Sequence, residues 1–229
     1  RADQVAKDYR ALARRNPLAA SFRFGIAPSS NINNGSANDT ASLFGFPGEF
    51  TLNGEARALS GYQLSMAGNM SLRLSQSQNS LTTVTAGFNK QTYILSDGAR
   101  VQAPKAKGSD YSSTNATVGL KHRQIFAEGF EPTDFSLTYG RLWSGGDPSA
   151  HYAEAAVSQG FAINPQTVII ARLSANNRKS KIGNPSIDTF KASATYRQRY
   201  ANSDTFSFGV TVTEAQSHAP DSDYTGVRL

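Results

Sequence analysis

The sequence predicts an all-β fold: an antiparallel transmembrane β-barrel, partial or complete, preceded by one N-terminal α-helix. Three observations carry this expectation. Apolar and polar residues alternate with a period of two between Phe22 and Val212, the spacing at which successive side chains of a strand point to opposite faces. Most of the alternating segments reach or exceed the ~9–11 residues that a tilted membrane-crossing strand requires. The connections between them are by turns short and long, as in bacterial barrels with short periplasmic turns and longer outer loops. The run from Thr205 to Thr213 is the plainest. Phe206, Phe208, Val210 and Val212 face one way, and Thr205, Ser207, Gly209, Thr211 and Thr213 the other. In 190–200, Phe190, Ala192, Ala194, Tyr196 and Tyr200 alternate with Lys191, Ser193, Thr195, Arg197 and Arg199. A soluble sandwich seldom repeats Ser, Thr and Gly so steadily opposite its core, so the polar side suits a water-filled interior.

From the N-terminus, residues 2–15 read as an amphipathic helix. Val5, Tyr9 and Leu12 fall at helical spacing, Asp3 and Lys7 are four apart, Arg14 and Arg15 suit the negative end of the helix dipole, and Asn16-Pro17 ends it. One such helix cannot bury its apolar stripe alone. Residues 1–16 are therefore assigned to the last helix of an upstream helical domain, with a plug or cap of the barrel as the alternative, and residues 17–229 to the barrel. Strands are expected at 18–28, 59–75, 80–94, 112–124, 133–143, 150–161, 166–177, 188–200 and 204–215, with another beginning at 223–229. Connections 76–79, 125–132, 163–165 and 201–204 are short, whereas 27–59, 96–111, 144–149, 178–188 and 216–223 are generally longer and rich in turn formers. The first strand then runs outward and the helix lies in the periplasm. The first long connection holds Phe44, Phe46 and Phe50, and is expected to fold inward or to carry a short hairpin near 49–53. Tyr62, Tyr93, Tyr111, Tyr139, Trp143, Tyr152, Tyr196, Tyr200 and Tyr224 lie near strand ends and are candidates for interfacial girdles. Nine strands and the start of a tenth are an awkward number for a single-chain barrel, so part of a larger barrel, shortened at its C-terminal end, is expected.

Composition narrows the function. A hydrophobic content of 38% and a mean hydropathy of −0.43 argue against a helical membrane protein, but not against a barrel, whose strands are half polar. Nothing approaches the ~18 consecutive apolar residues of a spanning helix. Without cysteine there are neither disulfides nor thiolate metal sites. Residues 1–17 lack a basic head followed by an apolar stretch, so they do not form a signal peptide; the chain reads as processed or excised from a longer one. A net charge of +6 raises nucleic acid, anionic lipid and acidic polypeptides as partners. No helix-turn-helix, finger or RNP-type motif accompanies the charge, which argues against nucleic acid.

Parity places Arg23, Arg73, Lys121, Arg123, Arg172, Lys191, Arg197 and Arg199 on the interior side, with Glu154 as the clearest carboxylate there. A lipid-facing Arg or Lys costs about 2–4 kcal/mol at the bilayer midplane, which favours this assignment. A cationic interior would prefer anions, or hold an acidic segment or a plug; pairing with loop carboxylates or further strands is the alternative. His122, His151 and His218 are scattered without metal-binding spacing. Asp147, His151, Asp221 and His218 could meet at the outer rim, but no Gly-x-Ser-x-Gly elbow is present. The reading is non-enzymatic, with no cofactor and no metal. Arg178-Lys179-Ser180-Lys181 is a small basic cluster on an outward loop, either a contact for lipopolysaccharide phosphates or a solvated loop tip.

The segment Arg14-Arg15-Asn16-Pro17, followed by Ser21-Phe22-Arg23-Phe24-Gly25-Ile26-Ala27-Pro28-Ser29-Ser30-Asn31-Ile32-Asn33-Asn34, resembles the start of the C-terminal domain of the surface lipoprotein assembly modifier family. The resemblance is specific over about residues 1–40 and rests on strand pattern beyond them. Members join a periplasmic tetratricopeptide-like helical domain to an outer-membrane barrel usually taken as fourteen-stranded. The resemblance implies a Gram-negative outer-membrane protein in contact with lipid, joined to an upstream periplasmic helical domain, that assists translocation or surface display of lipoproteins or other secreted proteins. A general or anion-preferring, porin-like diffusion channel is the alternative. Ser30, Asn31, Ile32 and Asn33 match the family signature, and a role in ending the strand and shaping the loop is expected ahead of direct cargo contact.

Overall fold

A computed structural model describes residues 16–42, 48–181, 186–200, 204–217 and 223–228. The expected helix over 2–15 lies outside the described residues. The chain is all-β, built on one ten-stranded antiparallel sheet. Its strands are β1 (Leu18–Ser29), β4 (Gly61–Gln76), β5 (Ser80–Leu95), β6 (Ser113–Gln124), β7 (Thr133–Ser144), β8 (Asp147–Asn164), β9 (Thr167–Ser180), β10 (Ile187–Arg199), β11 (Thr205–Ser217) and β12 (Tyr224–Arg228). Within the first long connection, β2 (Thr40–Ser42) and β3 (Glu49–Thr51) pair antiparallel, so that 49–51 is one strand of a pair reaching back to Thr40 and not a hairpin of its own near 49–53. The order in the large sheet is β1-β4-β5-β6-β7-β8-β9-β10-β11-β12, so each of its strands pairs with the next one along the chain. The sheet is open: β1 and β12 are its two edges and do not pair with each other.

Pairing registers sort the side chains into two faces. On one face Phe22 lies beside Gly68 and Phe24 beside Met66; further across, Leu120 faces Leu137, Leu173 faces Ala192, and Val212 lies between Ala192 and Val227. On the other face Ser71 pairs with Thr85, Thr85 with Gly119 and Gly119 with Thr138. The large apolar side chains that the paired registers leave exposed lie on the first face, Tyr224 excepted. Phe24 is 73% exposed and Phe206 and Phe208 are 52% and 51% exposed, so no second layer of the described chain covers them. Of the helices described, none is long and apolar enough to cross a membrane.

One connection departs from expectation. The sequence placed a longer loop at 144–149, but β7 and β8 are joined by Gly145-Gly146 alone, with φ of 61° and 93°. Positive φ at both central residues is what a tight hairpin turn matching the strand twist requires, and two glycines meet it without a Cβ clash. β8 consequently begins at Asp147, and Pro148 is accommodated at a register irregularity beside Trp143.

The buried core sits at one end of the sheet, where connections 30–60 and 96–112 fold against each other as a cap. Ile32, Leu59, Leu95, Ala99 and Ala103 are buried together, with Tyr93, Ala106 and Tyr111 against them. A short helix, α1 (Asp97–Gln102), starts at Ser96, whose Oγ accepts from the Ala99 amide at 3.1 Å. The Gln102 side-chain amide donates to the Gly54 carbonyl at 2.9 Å and to the Ala58 carbonyl at 3.3 Å, tying the second connection to the first. Gly54 is required there because an added Cβ would come within 1.7 Å of the Gln102 carbonyl oxygen. Burial, then the charges of Glu55 and Asp110, raises the Tyr111 phenol above its ordinary pKa of 10.0.

Truncating the fully buried Leu59 to alanine is expected to cost the cap about 2–5 kcal/mol. Hydrogen exchange would then speed up at Ile32, Leu59 and Ala103 while β8 to β10 stay unchanged. The cap also carries a pH dependence. A phenol held above its unfolded pKa keeps its proton longer in the folded cap, so the stability it contributes is full below pH 10 and falls as pH rises through that region. Tyr111→Phe should flatten this alkaline loss in the same exchange measurement.

Candidate functional site

The polar face is where the sequence placed its candidate residues. All eight basic candidates lie on it by register. Arg73, Thr83, Lys121, Ser136, Ala156, Ser174, Lys191 and Thr213 form one row across β4 to β11. The neighbouring row runs Arg123, Asp134, Ser158, Arg172, Ser193, Thr211 and Arg228. Arg197 lies between Val168 and Ser207, Arg199 pairs with Thr205, and Arg23 pairs with Ala67 on β4. Along the strands these cations occupy the middle and the half away from the cap. Arg73, Arg123 and Arg199 lie near connections 77–79, 125–132 and 200–204.

Two of the eight are neutralised by carboxylates. Arg123 grips Asp134 through both ends, Nε to Oδ1 at 2.7 Å and Nη2 to Oδ2 at 3.0 Å. Two parallel charge-assisted bonds fix the guanidinium plane as well as its charge. Arg172 reaches Glu154 at 3.4 Å. Arg73 donates to the Gln76 side chain and, at 3.2 Å, to the Asn16 carbonyl. Among the described residues, no carboxylate lies within ion-pair distance of Arg23, Lys121, Lys191, Arg197 or Arg199. The carboxylates of the face are Asp134 and Glu154, with Asp147 at the rim. The face therefore carries excess positive charge, and a field of that sign concentrates anions. Asp134 was not singled out from the sequence, although its place two residues before Ser136 gave the right parity.

The four signature residues do something else. Ile32 is buried in the cap, and its amide donates to the Leu59 carbonyl at 2.8 Å. Asn33 is a four-way clamp: its Nδ2 donates to the carbonyls of Glu55 and Arg57, each at 2.8 Å, while its Oδ1 accepts from the amides of Leu59 at 2.9 Å and Gly35 at 3.3 Å. Asn31 both accepts from the Gly35 amide and donates to its carbonyl, each at 2.9 Å. Ser30 is exposed at the end of β1. Left-handed backbone falls on the next residue, Asn34, at φ 51°. The segment ends the strand and holds the loop, the structural role the sequence favoured.

The remaining aromatic and ionisable candidates divide between the faces. Tyr62, Tyr139, Trp143 and Tyr196 are on the apolar face, but Tyr93 turns to the cap and Tyr152 lies on the polar face. Tyr152 covers Gly140 so closely that an added Cβ would stand 2.3 Å from its ring, a glycine shielded by a cross-strand aromatic. His122 is on the apolar face, with Nδ1 2.9 Å from Thr82 Oγ1. Asp147 and His151 lie on opposite faces by register, so they do not converge at the rim. His218 and Asp221 lie outside the described residues. Among those described, no group of three His, Asp or Glu side chains is placed to hold a metal.

Compared with protein-family models, with curated proteins and with solved structures, the chain finds no match.

Gly140→Ala should be destabilising by about 1–3 kcal/mol, the usual cost of forcing volume into a packed contact. In a urea-unfolding double-mutant cycle, Tyr152→Ala should remove most of that cost. Additive effects would show that the ring and the glycine do not meet.

Proposed function

We propose that this chain is an outer-membrane β-barrel module, non-enzymatic, that helps lipoproteins or other secreted proteins cross, or become displayed on, the outer surface. The single observation that carries the membrane part is the uncovered apolar face running from β1 to β12 opposite a polar, cationic one. In the large sheet the strands, β12 apart, run to 12–18 residues, long enough to cross the hydrocarbon at a tilt. In lipid, unpaired backbone groups at a sheet edge cost several kcal/mol each, so β1 and β12 close the barrel against further strands. The cap marks the outer end, because bacterial barrels place their longer loops there. On this reading the segment before β1 lies in the periplasm, as the end of an upstream helical domain.

The cargo part draws on the likeness of Arg14 to Asn34 to the surface lipoprotein assembly modifier family. A second reading, an anion-preferring channel, is favoured by Lys121, Lys191, Arg197 and Arg199, which stand on the polar face outside the ion pairs described. Deleting the gene should lower surface-exposed lipoprotein with little change in outer-membrane anion permeability, while the purified full protein shows no steady conductance in a planar bilayer. Unchanged lipoprotein display, together with a steady anion-selective conductance, would replace transport by the channel. In that case Arg197→Gln/Arg199→Gln should move the reversal potential toward zero.

A further inference from the structure

Cations on the apolar face are expensive in lipid; the fold places Lys90 and His122 there, and sets three further basic side chains as direct neighbours. Arg141 on β7, His151 on β8 and Lys179 on β9 are direct neighbours in one register row, all on the apolar face and all at the end nearest the cap. Three strands at ~4.8 Å spacing set them across about 10 Å. The Arg141 guanidinium lies over the Trp143 ring at 5.3 Å from its centroid, and the Tyr139 and His151 rings are 6.2 Å apart. Arg141 and Lys179 are exposed. Among the described residues neither has an ion-pair partner. Asp188, the carboxylate nearest in register, accepts instead from the Asn177 side chain. The two-residue Gly145-Gly146 turn gives this row no cover from the β7–β8 connection, unlike the cap over β4 and β5. Below the row the same face is apolar, through Leu137, Ala155, Ala175 and Leu173.

We propose that Arg141, His151 and Lys179 form a docking site for the phosphate groups of a phosphorylated glycolipid in the outer leaflet, with Trp143 against Arg141 beside those phosphates, Tyr139 at the level of its sugars and its acyl chains on the apolar strip below. This rests on the outer-membrane reading and deepens it. Along β7 the positive row at Arg141, then Tyr139, then Leu137 follow one another in the order that such an amphiphile presents phosphate, sugar and acyl chain, with Trp143 one step outward of the row. Lys and Arg at the edge of the apolar band reach headgroup phosphates without entering the hydrocarbon.

Trp143 is the only tryptophan of the chain, so its emission reports on the site directly. The full protein, refolded into neutral phosphatidylcholine vesicles, is titrated with bisphosphorylated lipid A, dephosphorylated lipid A, phosphatidylglycerol or inorganic phosphate. Saturable change in Trp143 emission with phosphorylated lipid A alone is expected. Arg141→Gln/Lys179→Gln should weaken that binding about 30-fold, at ~1 kcal/mol for each cation near the headgroups. The charge-matched cap variant Arg100→Gln/Lys105→Gln should bind as the parent does. Equal binding by parent and Arg141→Gln/Lys179→Gln, or equal response to phosphatidylglycerol or to inorganic phosphate, would overturn the site. Flotation with the vesicles after urea washing separates the two levels: protein that floats but does not discriminate phosphate defeats this inference alone, and protein that fails to float defeats the membrane reading with it.

Discussion

Everything in this molecule depends on pairing register. Side chains of a strand alternate strictly, so a slip of one residue between any two neighbours would carry a whole apolar set onto the polar face. From Leu18 beside Leu72 to Val212 beside Val227, successive pairings keep the two sets apart. Where the ladder is irregular, as between Arg73 and Ser75 or between Ala162 and Asn164, the break lies next to a turn and ends before it can reach the strand's middle. Bulges at strand ends bend and terminate pairing without disturbing the faces. The cations follow from the same constraint: once the register is set, Lys121 and Lys191 have no choice of face.

The cap fixes the other end of the molecule, and it does so through backbone-directed side chains rather than bulk. Asn33, Gln102 and Ser96 spend their polar groups on the carbonyls and amides of connections 30–60 and 96–112, around a small apolar cluster at Leu59. Loops that would otherwise sample many conformations are thereby tied to β4 and β5. Beside the cap, where the Gly145 amide donates to the Ser112 carbonyl at 2.8 Å, Gly145-Gly146 holds β7 and β8 together with no loop at all. The unequal treatment gives the rim a covered side and a bare side, and the bare side is where Arg141, His151 and Lys179 stand.

Strands were legible because their signal is local. The expected segments at 80–94, 112–124 and 133–143 meet β5, β6 and β7 to within a residue at each end, since alternation ceases where pairing ceases. Parity likewise placed all eight basic candidates on one face. What escaped depends on contacts between segments distant in sequence. That Gly145-Gly146 is a complete turn could have been read from the dipeptide, but Asp147-Pro148-Ser149 looked like loop and proved to be strand. The role of Tyr152 over Gly140, and of Asp134 opposite Arg123, appears only when the strands are set side by side. So does the row Arg141, His151, Lys179, whose members are scattered along the sequence and adjacent across it.

On the membrane reading, the two faces of this sheet meet different solvents. Because the chain has no cysteine, a single cysteine introduced in turn at each position from 205 to 213 can carry a nitroxide with no background. Collision of the label with oxygen, which concentrates in hydrocarbon, and with a water-soluble nickel chelate is then measured in lipid vesicles. Oxygen should dominate at 206, 208, 210 and 212 and the nickel chelate at 205, 207, 209, 211 and 213. Low collision rates for both reagents at the even positions would mean those side chains pack against protein, and would contradict the account.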